Sequence, residues 1–160
     1  NQEAVINGAQ SYDVVKGIVA NLIEQLDGNF DPETSLSFEG DSGPYLQYTH
    51  ARTHSLMNKA KEVGIELNVE TPDGFVLTDL ERTLYRFPEV VEMALDQHYP
   101  HLLITYLTEL AQVFNTWYAG TKIVDIEDAH SGYKLVLTQA TSQVLKNGLW
   151  LLGIESPEQM

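Results

Sequence analysis

Leu103, Leu107, Leu110, Phe114 and Trp117 follow one another at steps of four, three, four and three residues. That spacing draws one apolar stripe down one face of a helix. A strand would alternate at every second residue, so the segment must be an α-helix with one side to bury. Pro100 opens it and Gly120 stops it. A second stripe, Leu137, Thr141, Val144, Gly148 and Leu151, is broadened by Ala140, Leu145 and Leu152. It predicts a last helix in "YKLVLTQATSQVLKNGLWLLG". Taken alone, "YKLVL" fits a strand, but the residues after it continue the helical pattern.

The rest of the chain reads the same way. "SYDVVKGIVANLIEQLDG" predicts a helix over Ser11–Gly28, capped by Ser11 or Asp13. A turn-rich connection with Pro32, Gly40 and Gly43 follows. A long helix is expected from Pro44 to about Gly64, with proline in a first turn that has no N–H bond to lose. Residues Ile65–Leu77 read as a linker or short hairpin turning at Pro72-Asp73-Gly74. Thr78 or Asp79 then caps "LERTLYRF", and Pro88 opens "EVVEMALDQHY". The expectation is an all-α fold, a helical bundle of about five helices packed through such stripes.

Charge limits what such a bundle binds. Nine Lys and Arg against 23 Asp and Glu give −14. Non-specific nucleic-acid binding rests on neutralised phosphates, so a protein that coats nucleic acid would be basic. By composition alone, an acidic helical protein-interaction module is the simpler expectation, and any RNA role must use a local site of aromatics and hydrogen bonds. The absence of cysteine excludes disulfides, thiolate metal sites and a cysteine nucleophile, and fits the cytoplasm. No run of about 18 apolar residues suggests a membrane span. The first residues lack both a signal-peptide pattern and an initiator methionine, as expected of a piece of a longer chain.

Four kinds of candidate site stand out. Gly40-Asp41-Ser42-Gly43-Pro44 resembles the surroundings of a protease serine, but lacks one glycine and any companion histidine motif. A catalytic Ser42 is therefore rejected in favour of a helix entrance. His50 and His54 share a helix face at a metal-compatible spacing, and His98 and His101 flank Pro100. No third ligand accompanies either pair in a recognisable motif, so no metal site is expected. Carboxylate pairs such as Glu89/Glu92 and Glu24/Asp27 follow from the acidic composition, and no phosphate-binding glycine loop is present. Tyr45, Tyr48 and Arg52 share one helix face, and Phe114, Trp117 and Tyr118 stand together near the end of a later helix. Rings and a guanidinium suit unstacked bases and phosphate, although aromatic stripes are more often core.

The segment carrying Tyr45, Tyr48 and Arg52, "SFEGDSGPYLQYTHAR", resembles the stretch of class I arginyl-tRNA synthetases usually read as Ser-Phe-Glu-Gly-Asn-Thr-Gly-Pro-Tyr-Leu-Gln-Tyr-Ala-His-Ala-Arg. The similarity continues, in family order, through "ERTLYRFPEVVEMAL", "PHLLITYLTELAQVFNTWY" and "LVLTQATSQVLKNGLWLLGIESPEQM". It implies a DALR-type anticodon-binding domain over 37–160, preceded at 1–36 by a helix and connection from the catalytic core. That domain would bind the anticodon stem-loop of tRNA-Arg. The family's contacts, carried over by position, fall on Tyr45, Tyr48, Trp117, Phe114 and Met160; Arg52 and Lys146 are further expected to meet phosphate. Family members commonly end in Pro-Glu-Arg-Met, so Met160 is expected to be the natural chain end. Gln159 replaces the usual arginine there, Asp41 an asparagine and Thr49 an alanine.

The family joins arginine to tRNA using ATP and Mg in a separate N-terminal domain, marked by His-Ile-Gly-His and Lys-Met-Ser-Lys-Ser type motifs. Neither occurs here. The implied fragment is monomeric, holds no cofactor of its own and is inactive alone. Its partner within the parent chain is the catalytic domain, whose cations would supply much of the tRNA affinity.

Overall fold

The computed structural model describes residues 43–71 and 76–160. The expected Ser11–Gly28 helix, the connection after it, Ser42 and the Pro72-Asp73-Gly74 turn lie outside the described residues. Five helices follow in order: α1 (Gly43–Glu62), α2 (Asp79–Tyr85), α3 (Phe87–Gln97), α4 (Pro100–Gly120) and α5 (Ser131–Leu151). No strand occurs among the described residues, so "YKLVL" is helix and the described part of 65–77 forms no hairpin.

Local chemistry sets the helix ends. At the start of α2 the Glu81 carboxylate reaches back to accept the Thr78 backbone N–H at 2.9 Å, the return half of a capping box. Pro88 and Pro100 sit in the first turns of α3 and α4. α1 stops two residues short of Gly64 because Gly64 and Ile65 turn their N–H groups back to the Lys61 and Ala60 carbonyls. Ile65 then packs on a small core of Ala60, Ile123 and Leu135.

α4 is the central helix and packs against each of the other four. Its stripe is the core: Leu103, Leu107, Leu110 and Phe114 are buried with Leu46, Leu80, Tyr106, Leu145 and Leu149. Each such side chain contributes about 1.5–3 kcal/mol through burial. The buried Tyr106 hydroxyl donates to the Thr83 carbonyl at 2.9 Å, and burial pushes its pKa well up. The inner face of α5 runs through Leu137, Thr141, Leu145, Gly148 and Leu149, and leaves Leu151 exposed. Leu149 continues the row Leu137, Thr141, Leu145 at steps of four, whereas Leu151, two residues further on, turns to the far side of the helix from Leu149.

α1 shows why its amphipathicity is weak in the sequence. It packs on α5, and most of the residues it buries, Thr49, His50, Ala51, Thr53 and Ala60, are small or polar. The hydroxyls are satisfied within their own helix: Thr49 donates to Tyr45 O at 3.0 Å, and Thr138 and Thr141 of α5 donate to Lys134 O and Leu137 O. With polarity satisfied in this way, small side chains suit a close pair of helices. α5 also approaches α4 closely at Gly148, where a Cβ would lie 2.5 Å from Leu107 Cδ2.

Candidate nucleic-acid interface

Tyr48 and Arg52 are one helical turn apart on the outer side of α1. The Arg52 guanidinium lies 4.8 Å from the Tyr48 ring centre and 5.1 Å from that of Tyr118 on α4. It is a cation flanked by two rings, within the range of cation–π attraction. Its Nη1 donates to Asn115 Oδ1. Asn115 in turn donates through Nδ2 to the Tyr45 hydroxyl at 2.9 Å and the Thr49 hydroxyl at 3.1 Å. One amide on α4 thereby fixes Arg52, Tyr45 and the register of α1 against α4.

The chain after α5 completes the site. Gly153 adopts φ 72°, the left-handed conformation that ends a helix, and Ile154 N–H bonds back to Leu149 O at 2.9 Å. Ile154 packs on the core, and the following residues run along α1. Met160 arrives beside Tyr48, Arg52, Ser55, Asn58 and Tyr118, which line an open groove of about 510 Å³. Tyr48 is 45% exposed, Tyr118 37% and Met160 60%, so the groove presents ring and thioether surface to solvent.

The structure divides the residues expected to form the site. Tyr48, Arg52 and Met160 come together. Tyr45 is half-buried against the core, with its hydroxyl held by Asn115, and supports the site from behind. The expectation that Phe114 touches RNA is corrected: it is fully buried, and its ring has no face to offer. It stacks under Tyr118 instead, centres 6.4 Å apart at 15°. Trp117 is half-buried: it packs against both core clusters and lines a separate groove of about 340 Å³ with Thr78, Gln112 and Val113, away from Tyr48 and Arg52. Lys146 is exposed on α5, across the His54–Asn58 edge of α1, in a polar groove with Lys61 and Gln143.

Tyr118 is the ring that sequence reasoning passed over. The signal was present: Trp117 belongs to the core stripe by its own spacing, which leaves Tyr118 one step round the helix, toward α1.

The cations are also sorted. Arg82, Arg86, Lys122 and Lys134 pair with Asp79, Glu109, Asp125 and Asp128 at 2.6–3.1 Å. The hydrogen bond from Lys134, followed by the His130 N–H, holds the Asp128 carboxyl below its usual pKa. Arg52, Lys59, Lys61 and Lys146 form no ion pair with a described residue, and all four lie on α1 or α5. The positive charge left for an anionic partner is therefore gathered on two adjacent helices. Among the described residues no three His, Asp or Glu side chains are placed to hold a metal, and no helix is long and apolar enough to cross a membrane.

Known proteins resemble this chain in sequence and fold. Residues 46–160 match the family described as the DALR anticodon binding domain. The arginine–tRNA ligase of Thermococcus kodakarensis is 42% identical over 166 aligned positions, covering 99% of this chain and 25% of that protein. That of Pyrococcus furiosus is 40% identical over 136 positions, 80% of this chain and 22% of its own. The solved arginyl-tRNA synthetase of Thermus thermophilus superposes with a TM-score of 0.65 at 38% identity, covering 78% of this chain and 22% of that one. The chain thus spans about a quarter of the length of the ligases it resembles.

Proposed function

The chain belongs to the DALR anticodon binding domain family, and on that premise we propose that it binds the anticodon stem-loop of tRNA-Arg as the RNA-reading part of an arginine–tRNA ligase. The observation that carries this is the half-buried Arg52 guanidinium between Tyr48 and Tyr118, lining an open groove beside Met160. Unstacked bases need flat apolar faces and a nearby cation, and each stacked base contributes about 1–3 kcal/mol. The ring–cation–ring array offers both, and the Met160 thioether adds a polarizable wall. Lys146 and Lys61 face the neighbouring polar groove, where backbone phosphates would pass. Ligation itself, with ATP and Mg, belongs on this proposal to the part of the parent outside this chain.

Charge sets a measurable limit. At about −0.7 per neutralised phosphate on single strands, the four cations unpaired among the described residues contribute a salt slope of no more than about −3. Anisotropy titrations of a labelled tRNA-Arg stem-loop and a non-cognate one, over a salt series, check this. The cognate loop is expected to bind tighter, with a slope between zero and that limit. Equal binding of both loops, or none at low salt, would favour a protein-interaction role for the same face.

A further inference from the structure

Three side chains on one face of α1, Gln47, His50 and His54, meet the chain that follows α5. Gln47 Nε2 donates to the Glu155 carbonyl at 2.8 Å, His50 Nδ1 lies 2.9 Å from the Pro157 carbonyl, and His54 Nδ1 lies 3.8 Å from the Glu158 carboxylate. Positions rise together on both sides, so the segment runs parallel to α1 and is fixed in register at three points. Met160 follows two residues beyond the last of them. We propose that Gln47, His50 and His54 form a clasp that seats Met160 in the groove, and that His50 is the positioning residue that makes this docking sensitive to acid.

His50 is buried, and a carbonyl can only accept, so its Nδ1 carries the proton. Its Nε2 is buried with no hydrogen-bond partner among the described residues. The neutral ring tolerates this with an idle lone pair. A second proton would place a donor and a charge where no acceptor stands. Around it are the His54 ring, centres 4.7 Å apart, Lys146 of α5, which also opposes a proton, and Glu158, which favours one.

Burial, the largest influence, lowers the His50 pKa below its ordinary 6.5. The docked form therefore stays neutral while a released ring titrates near that value. Docking is unaffected by this group above pH 6.5, and release becomes more favourable as pH falls below it toward the docked pKa. The contact between His54 and the Glu158 carboxylate is a second, separate hold on the same segment.

The test uses ¹³C-methyl methionine in an H54Q background, whose amide can still donate to the Glu158 carboxylate but carries no charge. Met57, Met93 and Met160 give three signals. Between about pH 7.5 and 5.5, a window around the free imidazole value, the Met160 signal is expected to move toward its free-chain position. In H50N, whose amide can still donate to Pro157 O but does not titrate, it should stay docked throughout. In H50A it should sit at the free-chain position at every pH, with Met57 and Met93 at their folded positions. A Met160 signal indifferent to H50A, or an acid response in H50N as large as without it, would overturn the clasp.

The RNA consequence rests on the proposed function. If the docked fraction falls to about a tenth, stem-loop affinity falls about tenfold. A Met160 signal that follows His50 while affinity does not change would uphold the clasp and instead count against the groove as the RNA site.

Discussion

Replacing Phe114 with alanine is expected to remove about 3–5 kcal/mol of stability. The ring is fully buried among Leu107, Leu110 and Leu145, with Trp117 at 6.0 Å and Tyr118 at 6.4 Å between ring centres. Its removal leaves a cavity that the packed helices around it cannot easily close. Domains of this size are stable by about 5–15 kcal/mol, so a large share of the total goes. Urea denaturation measures the loss directly. Affinity for the stem-loop, taken on the folded fraction, should fall less, because Phe114 acts on the groove only by supporting Tyr118. A variant of normal stability with abolished binding would instead make Phe114 a direct contact and contradict its burial.

Replacing Arg52 with alanine has the opposite signature. Its guanidinium joins the two rings and is the cation nearest Met160. An interfacial arginine of this kind is worth about 2 kcal/mol or more, which is about thirtyfold in affinity. Stability should change by only about 1 kcal/mol, through the lost hydrogen bond to Asn115. Arg52→Lys should recover part of the affinity, since an ammonium keeps the charge but cannot lie flat between two rings. Thermal melting and anisotropy on the three proteins separate the effects. Equal affinity for Arg52→Ala and wild type would remove the array from the binding site.

The helices were legible because their signals are local. The stripe of α4, the prolines of α3 and α4 and the cap at Thr78 depend on neighbours a few residues away. The α1–α5 contact was less so, because threonines that bond to their own helix look polar in sequence and pack as small core residues. At the site, Tyr48 and Arg52 could be placed on one face from spacing alone. Choosing among Phe114, Trp117 and Tyr118 required the phase of α4 against α1, which is a tertiary quantity. The core stripe held the clue to it. Ion pairing was not legible either: Arg86 and Glu109 are far apart in sequence, yet 2.8 Å apart in space. The sum of −14 hid a separation between committed and uncommitted cations. Nor did sequence show how the last residues return along α1, since the three side chains that hold them form no motif.

The central claim is that an RNA loop enters the groove of Tyr48, Arg52, Tyr118 and Met160. The three methionines report on three faces: Met160 lies in that groove, Met57 in the polar groove beside Lys61 and Lys146, and Met93 on the exposed side of α3. A ¹³C-methyl titration of the chain with unlabelled tRNA-Arg stem-loop therefore locates the contact in one experiment. The account expects the largest shift at Met160, a smaller one at Met57 and none at Met93. A shift at Met93 with Met160 unmoved would contradict it.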